Sequence, residues 1–318
     1  MNSNEIEFFN QQKLRLVESI AKGGFGEIFL VHSDQYNQDF ALKKIPEKRF
    51  NESEVEVLKS IDDIHIVRLY NYYKFDGNVY LLLEYCPCDL QRLMKSEEEI
   101  NEEVLCKYMH DVVLCIKSLH DNNVAHHDIK PSNFLVDKYG RIKCCDFGLS
   151  SVYDCDDVQS SVHKGTLLFM SPEMLSMTPF NPMKSDVWAL GVTLFFMATR
   201  TYPFIASDAK LLLKVMNATT SLPIFAVRNS QLRQVILRCL DLKPEKRPSI
   251  NELLEMPFFQ NCRKLYRNGV FVGRTPGNSN PLIVRPKFQS EGRIFSKGMS
   301  VINIRRVATS MSSNSIRT

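Results

Sequence analysis

The apolar positions of the first 85 residues recur at two different spacings. Three short runs, LRLVESI (14–20), EIFLVHS (27–33) and FALKKI (40–45), are rich in β-branched and aromatic residues and predict strands. Residues 51–61 switch to the helical period, with Val55, Leu58 and Ile61 on one face. Two further runs, IVRLYNYYKF (66–75) and NVYLLLEY (78–85), flank Asp76-Gly77, a pair suited to the two-residue turn of a hairpin. This part of the chain predicts an antiparallel sheet with one helix.

After Pro87 the helical period takes over. Residues 102–120 space Val104, Leu105, Met109, Val112, Val113, Ile116 and Leu119 along one long helix. Short strands are expected near 134–137 and 141–145, split by Tyr139-Gly140. Helix dominates 183–259, broken at Pro203, Pro223, Pro244 and Pro248. Beyond Cys262 the periodicity fades into a stretch rich in Asn, Ser, Arg, Gly and Pro, read as largely flexible. No internal repeat is present. The organisation expected is an N-terminal extension (1–13), a domain over 14–262 divided near residue 85, and a C-terminal tail (263–318).

Charge sharpens that division. The net charge of +4 hides a tail with eleven Lys/Arg and one acid, Glu291, on a body with 29 basic and 35 acidic residues. A basic tail can meet nucleic acid, an anionic membrane or the acidic body itself, although no aromatic interleaving marks a nucleic-acid module. The longest apolar run, Val187 to Ala198, is too short to span a bilayer, and the first twenty residues lack an apolar leader core. No transmembrane segment is expected, and the location expected is cytoplasmic, with a nuclear one as the alternative. Nine cysteines without a regular framework fit reduced thiols. The close pairs Cys86/Cys88 and Cys144/Cys145 lack metal-ligand spacing and read as inert.

Candidate chemistry lies at four places. Gly23, Gly24 and Gly26 sit between two predicted strands, where exposed amides could cradle a phosphate or simply turn a hairpin. Lys43 stands in an apolar strand and could pair with Glu54 on the predicted helix, or the two could make only a surface contact. Asp128, Lys130 and Asn133 fall within six residues of HHDIKPSNF (126–134). Asp146 follows in CDFG. Two acids and an amide at loop positions suit Mg²⁺, which takes oxygen ligands and retains phosphates and waters.

In this order and together, these residues resemble the eukaryotic protein kinases over about residues 14–262. The resemblance implies an α+β, bilobal fold: a small antiparallel β-sheet N-lobe with one helix (14–85) and a larger, mainly helical C-lobe (86–262). It implies a Mg²⁺- and ATP-dependent transfer of the γ-phosphoryl group to protein Ser/Thr hydroxyls. The loop Ile20, Ala21, Lys22, Gly23, Gly24, Phe25, Gly26 and Ile28 would cover the nucleotide, Lys43 would hold its α/β-phosphates and pair with Glu54, and Ala41 would complete the site on the sheet. Leu83, Glu84, Tyr85 and Cys86 would form the adenine-binding hinge. Asp128 would accept the substrate proton, Lys130 would neutralise the transferred group, and Asn133 and Asp146 would hold Mg²⁺. Glu173 would pair with Arg247, and Asp186 would brace the catalytic loop. Leu58, Leu69, His126 and Phe147 would join the lobes in an apolar column. Lys130 and Thr166 resemble the serine/threonine class.

Three positions depart from the family pattern. Ala21 replaces the first loop glycine, and Ser171 the alanine of the Ala-Pro-Glu motif. His127 replaces an arginine that in many members grips a phosphate on the activation loop. Histidine, with a pKa near 6.5, is a part-time cation at neutral pH. The segment 149–162 adds no Lys or Arg and carries Asp154, Asp156 and Asp157. Activity is therefore expected not to depend on phosphorylation there, with Ser160 and Ser161 as the sites to exclude. In the tail, Arg306 lies three residues before Thr309, a pattern that resembles a target of arginine-directed kinases; Ser132 in the catalytic loop argues against that preference here, and Asp89 is the remaining acidic contact. The competing class is a pseudokinase scaffold that binds nucleotide without chemistry. Lys43, Asp128, Asn133 and Asp146 are all present, which favours the enzyme.

Overall fold

Residues that alternate along the central N-terminal strands are buried on both sides of the sheet, so the strands over 38–46, 69–75 and 78–84 each serve two cores at once. The computed structural model describes residues 1–23, 26–96, 100–154, 159–218 and 222–267. Strands β1 (Leu14–Gly23), β2 (Gly26–Ser33), β3 (Gln38–Pro46), β4 (Leu69–Phe75) and β5 (Asn78–Glu84) form one antiparallel sheet in the order β1-β2-β3-β5-β4. The β4–β5 turn has Asp76 at φ 49° and Gly77 at φ 66°, the two left-handed residues that match the twist of a hairpin.

On one face, Ile45, Tyr72, Val79 and Leu81 join helix α2 (Glu52–Ser60) through Val55, Val57 and Leu58. That core continues into the second lobe, and the backbone adds ties: Val67 N donates to Cys144 O (2.9 Å) and Cys144 N to His65 O (2.7 Å).

The opposite face holds a second core that the sequence reading did not anticipate. The N-terminal extension is a helix, α1 (Ser3–Gln11), started by an Asn2–Glu5 capping box. Phe8 and Phe9 pack from it against Tyr73, Phe75 and Tyr80, with the Phe8 and Phe75 rings stacked at 4.4 Å. The Glu5 carboxylate is fully buried; it accepts from the Tyr80 hydroxyl and pairs with Lys44 at 2.5 Å.

The second lobe is mainly helical. Strand β6 (Cys88–Asp89) and helices α3 (Leu90–Lys95) and α4 (Glu102–His120) lead into strand β7 (Val124–Ala125) and the loop 126–133. Strands β8 (Phe134–Val136) and β9 (Ile142–Cys144) pair antiparallel, and β10 (Ser151–Val152) pairs with β7. The remaining helices are α5 (Pro172–Leu175), α6 (Pro182–Thr199), α7 (Ala209–Asn217), α8 (Ser230–Cys239), α9 (Ile250–Leu254) and α10 (Pro257–Arg267). Helix α6 is apolar around its whole girth and is buried throughout residues 182–197 except at Lys184, so it forms the lobe's axis.

The structure thus has the α+β, two-lobed architecture expected, with α4 matching the predicted 102–120. Three details differ. Helix α10 continues to Arg267, past the expected boundary at 262; the tail from 268 onward lies outside the described residues. Cys106 on α4 and Cys262 on α10 form a disulfide, Cα–Cα 5.9 Å, where reduced thiols were expected. Asp89, considered as a contact for substrate, caps α3 by accepting from Arg92 N (2.9 Å) and pairs with the Arg92 side chain. No helix among the described residues is long and apolar enough to cross a membrane.

Candidate active site

Strand alternation puts Lys43 and Lys44 on opposite faces of β3. Lys43 is buried and bonds to Glu54 Oε1 and Asp146 Oδ1, both at 2.7 Å. Burial opposes its charge, but the two carboxylates outweigh that and hold its pKa above the ordinary lysine value. Burial likewise opposes the charge of Asp146, and the Lys43 ammonium overcomes it, keeping that carboxyl below its usual range. The ion pair left open by sequence alone is therefore formed, inside the protein rather than on its surface. Helix α2, which carries Glu54, is fastened to the segment after Asp146: Asn51 Nδ2 donates to Gly148 O (3.2 Å) and Ser53 Oγ to Ser150 O (3.3 Å).

The second cluster is built on the loop 126–133. Asp128 is 3% exposed, so its two oxygens answer to protein partners. Lys130 Nζ lies 2.7 Å from Asp128 Oδ2 and 2.9 Å from the Thr166 hydroxyl. That hydroxyl in turn donates to Asp128 Oδ1 (2.7 Å). Asn133 Nδ2 donates to Asp128 O (2.8 Å) and lies 3.2 Å from Asp128 Oδ2, which orients the amide. Asp186 on α6 holds the loop from beneath, accepting from His126 N (2.8 Å), His127 N (3.0 Å) and the His120 ring (3.1 Å). The His126 and Phe147 rings lie 5.4 Å apart, and Leu58, Leu69 and Phe147 are buried in one core. Glu173 and Arg247 make a two-pronged pair at 2.6 and 2.8 Å, with the guanidinium 5.0 Å from the Trp188 ring.

Of the residues expected to cover a nucleotide, Ile20, Ala21, Lys22 and Gly23 end β1 opposite Gly26 and Ile28 at the start of β2; Gly24 and Phe25 lie outside the described residues. Ala41 pairs with Leu83 across β3 and β5. In the expected hinge, the Glu84 amide donates to Arg68 O (2.8 Å) and its carboxylate pairs with Lys143 at 2.9 Å. Cys86 lies in the same segment, its thiol pushed up to about 12 by burial. Sequence reasoning missed that Lys143 pair, and with it the partner of His127: the Tyr153 hydroxyl, 3.0 Å from His127 Nε2. No residue pattern in 149–162 marks Tyr153.

The oxygen donors fit a hard divalent cation carried in with phosphates, since Asn133 and Asp146 supply one amide and one carboxylate and leave the other positions to the ligand. Among the described residues no group of three or more His, Cys, Asp or Glu could hold a metal alone.

The chain matches the family described as "Protein kinase domain" over residues 14–259. It is similar to the serine/threonine-protein kinase Nek5 of Homo sapiens, 28% identical over 266 residues covering 80% of this chain and 37% of the relative. It is similar to the serine/threonine-protein kinase RUNKEL of Arabidopsis thaliana, 30% identical over 213 residues covering 66% and 16%. It is also similar to the serine/threonine-protein kinase Nek6 of Oryza sativa subsp. japonica, 29% identical over 260 residues covering 78% and 48%. The chain spans less than half the length of these curated relatives.

Proposed function

The chain belongs to the protein kinase domain family, and from that premise we propose that it is an active serine/threonine protein kinase using ATP and Mg²⁺, whose activity does not wait for phosphorylation of its activation segment. One observation carries the reading: the Asp128–Lys130–Thr166 cluster and the Lys43–Glu54–Asp146 cluster are both assembled in the same structure.

Phosphoryl transfer asks for positioning and charge neutralisation more than covalent help. Asp128 Oδ2 would take the proton of the incoming Ser or Thr hydroxyl as its oxygen becomes the nucleophile. The Thr166 hydroxyl on Oδ1 fixes the carboxylate for that role and ties it to the segment that receives substrate. Lys130, already poised between Asp128 and Thr166, would shift its ammonium toward the transferred group. Lys43 would orient the α/β-phosphates, its charge secured by Glu54. Asn133 and Asp146 would hold Mg²⁺, which when bound neutralises phosphate charge. Ile20, Ala21, Lys22, Gly23, Gly24, Phe25, Gly26, Ile28, Ala41, Leu83, Glu84, Tyr85 and Cys86 would enclose the nucleotide. Ser and Thr side chains of proteins are the acceptors proposed. The pseudokinase reading has no missing group on which to rest.

Phosphate independence is supported by the surroundings of one candidate serine, Ser160, whereas Ser161 is exposed. Ser160 is 7% exposed, its amide and carbonyl pair with Phe180 (2.8 and 3.0 Å), and its hydroxyl accepts from Val162 N. Lys164, the nearest cation in the following segment, lies 3.3 Å from the Ser151 hydroxyl.

Transfer of label from γ-labelled ATP to a basic acceptor protein such as histone tests both parts. Asp146→Ala should abolish it, and Ser160→Ala/Ser161→Ala should keep at least about half of it. Incorporation unchanged by Asp146→Ala would defeat the enzyme reading. Loss of nearly all activity in the double alanine variant would defeat phosphate independence alone.

A further inference from the structure

The activation segment and the residues that follow it meet the catalytic loop at His127 in three ways, none of them ionic. The Tyr153 hydroxyl is 3.0 Å from His127 Nε2, and the two rings meet edge to face at 6.1 Å. The Phe180 ring stands 6.5 Å from the imidazole on another side. Gly165 crosses the His127 carbonyl at φ 130°, so close that a Cβ there would lie 2.5 Å from the oxygen. His127 itself sits at φ 64° with its amide on Asp186, so its ring has a fixed direction.

Tyr153 is fixed just as firmly. Its amide donates to Asn123 O (2.9 Å), directly after β10 has paired with β7. The segment is then held again where Ser160 pairs with Phe180, and once more where Thr166 reaches Asp128. Among the described residues the Tyr153 contact thus lies between the ties of 148–152 to α2 and β7 and the later contact with Asp128.

The imidazole is uncharged at neutral pH. Burial and the Lys164 ammonium pull its pKa to about 4 against the opposing pull of Asp186. A neutral ring has little to offer a phosphate and suits a phenol, which can donate or accept.

We propose that Tyr153 is a positioning residue of the transfer reaction: its hydroxyl, hydrogen-bonded to His127, docks the activation segment on the catalytic loop and takes over the task of a phosphorylated residue. This rests on the kinase reading above. A tyrosine that only filled space would give the same ring packing without need of its oxygen, so removal of that one atom separates the two roles.

The experiment compares the whole chain, Tyr153→Phe, His127→Gln, His127→Leu and the Tyr153→Phe/His127→Leu double variant, by steady-state transfer to histone and by amide hydrogen exchange. Tyr153→Phe should lower kcat about ten-fold, the scale of one lost hydrogen bond, leave KM for ATP within two-fold, and speed exchange at the Tyr153 and Ser160 amides. His127→Gln, which keeps a neutral hydrogen-bonding group near the site of Nε2, should retain more activity than His127→Leu. The double variant should be no worse than the poorer single variant, since both remove the same bond. Wild-type turnover and exchange in Tyr153→Phe would overturn the proposal, as would fully additive losses in the double variant. If the unmodified chain transfers no phosphate at all, the functional reading falls, and unchanged exchange in Tyr153→Phe would still overturn the docking role by itself.

Discussion

Burial removes the charge from His127. The groups facing it are the Asp186 carboxylate, the Lys164 ammonium, the His126 ring and the Tyr153 phenol; burial, helped by Lys164 and His126, outweighs Asp186 and leaves its pKa at about 4 instead of 6.5. The histidine expected from the sequence to be a part-time cation is thus a neutral hydrogen-bonding residue. The sign of the linkage follows: between pH 6.5 and about 4 the unfolded chain binds a proton that the folded chain refuses, so stability falls as the pH is lowered through that window. Nuclear magnetic resonance of ring-labelled histidine should show His127 uncharged from pH 8 down to pH 5.5, and Tyr153→Phe should change its ring shifts. A midpoint near 6.5 would contradict this. The sequence identifies His127 as unusual because the residue type departs from a pattern. It is silent about the charge state, which depends on neighbours brought from residues 153, 164 and 186.

A helix of nine residues is marginal alone, and α1 is stable because of what it covers. Glu5, Phe8 and Phe9 face the sheet together, and Lys44 and Tyr80, directly opposite each other in the β3–β5 register, both reach Glu5. Burial opposes the Glu5 charge, but the Lys44 contact outweighs it and holds the carboxyl below its ordinary range. Phe9→Ala should cost about 3–5 kcal/mol in denaturant unfolding, and Glu5→Ala, which removes the partner of the half-buried Lys44 ammonium and of the buried Tyr80 phenol, about 1–3 kcal/mol; losses under about 0.5 kcal/mol in both would mean the helix is not part of the folded unit. The strands and long helices were legible because each repeats its period over enough residues. Helix α1 was not, since its two phenylalanines are adjacent and its one buried acid looks like any surface glutamate. Within the candidate site, residue type and order single out Lys43, Glu54, Asp128, Lys130, Asn133 and Asp146, whose roles are proposals, whereas the contacts of Tyr153 and Lys143 carry no such mark.

At the scale of the whole molecule, the Cys106–Cys262 bond closes a loop across 156 residues and ties α4 to α10. That separation hides it from any reading of cysteine spacing; only the packing of the two helices brings the Cα atoms to 5.9 Å. Cys106→Ser/Cys262→Ser should lower stability by about 2–4 kcal/mol under oxidising conditions, measured by denaturant unfolding. The difference should vanish when both proteins are unfolded in excess dithiothreitol, and a difference that persisted there would assign the loss to packing.

Strand β3 gives the molecule one more property. Its consecutive lysines send one ammonium to Glu54 and Asp146 and the next to Glu5. Adjacent residues of one strand therefore carry an ion pair into each of the two cores. Any coupling of the seated Lys43 to the docked α1 through that strand is reciprocal by linkage, and a double-mutant cycle of Lys43→Met and Glu5→Gln in denaturant unfolding measures it.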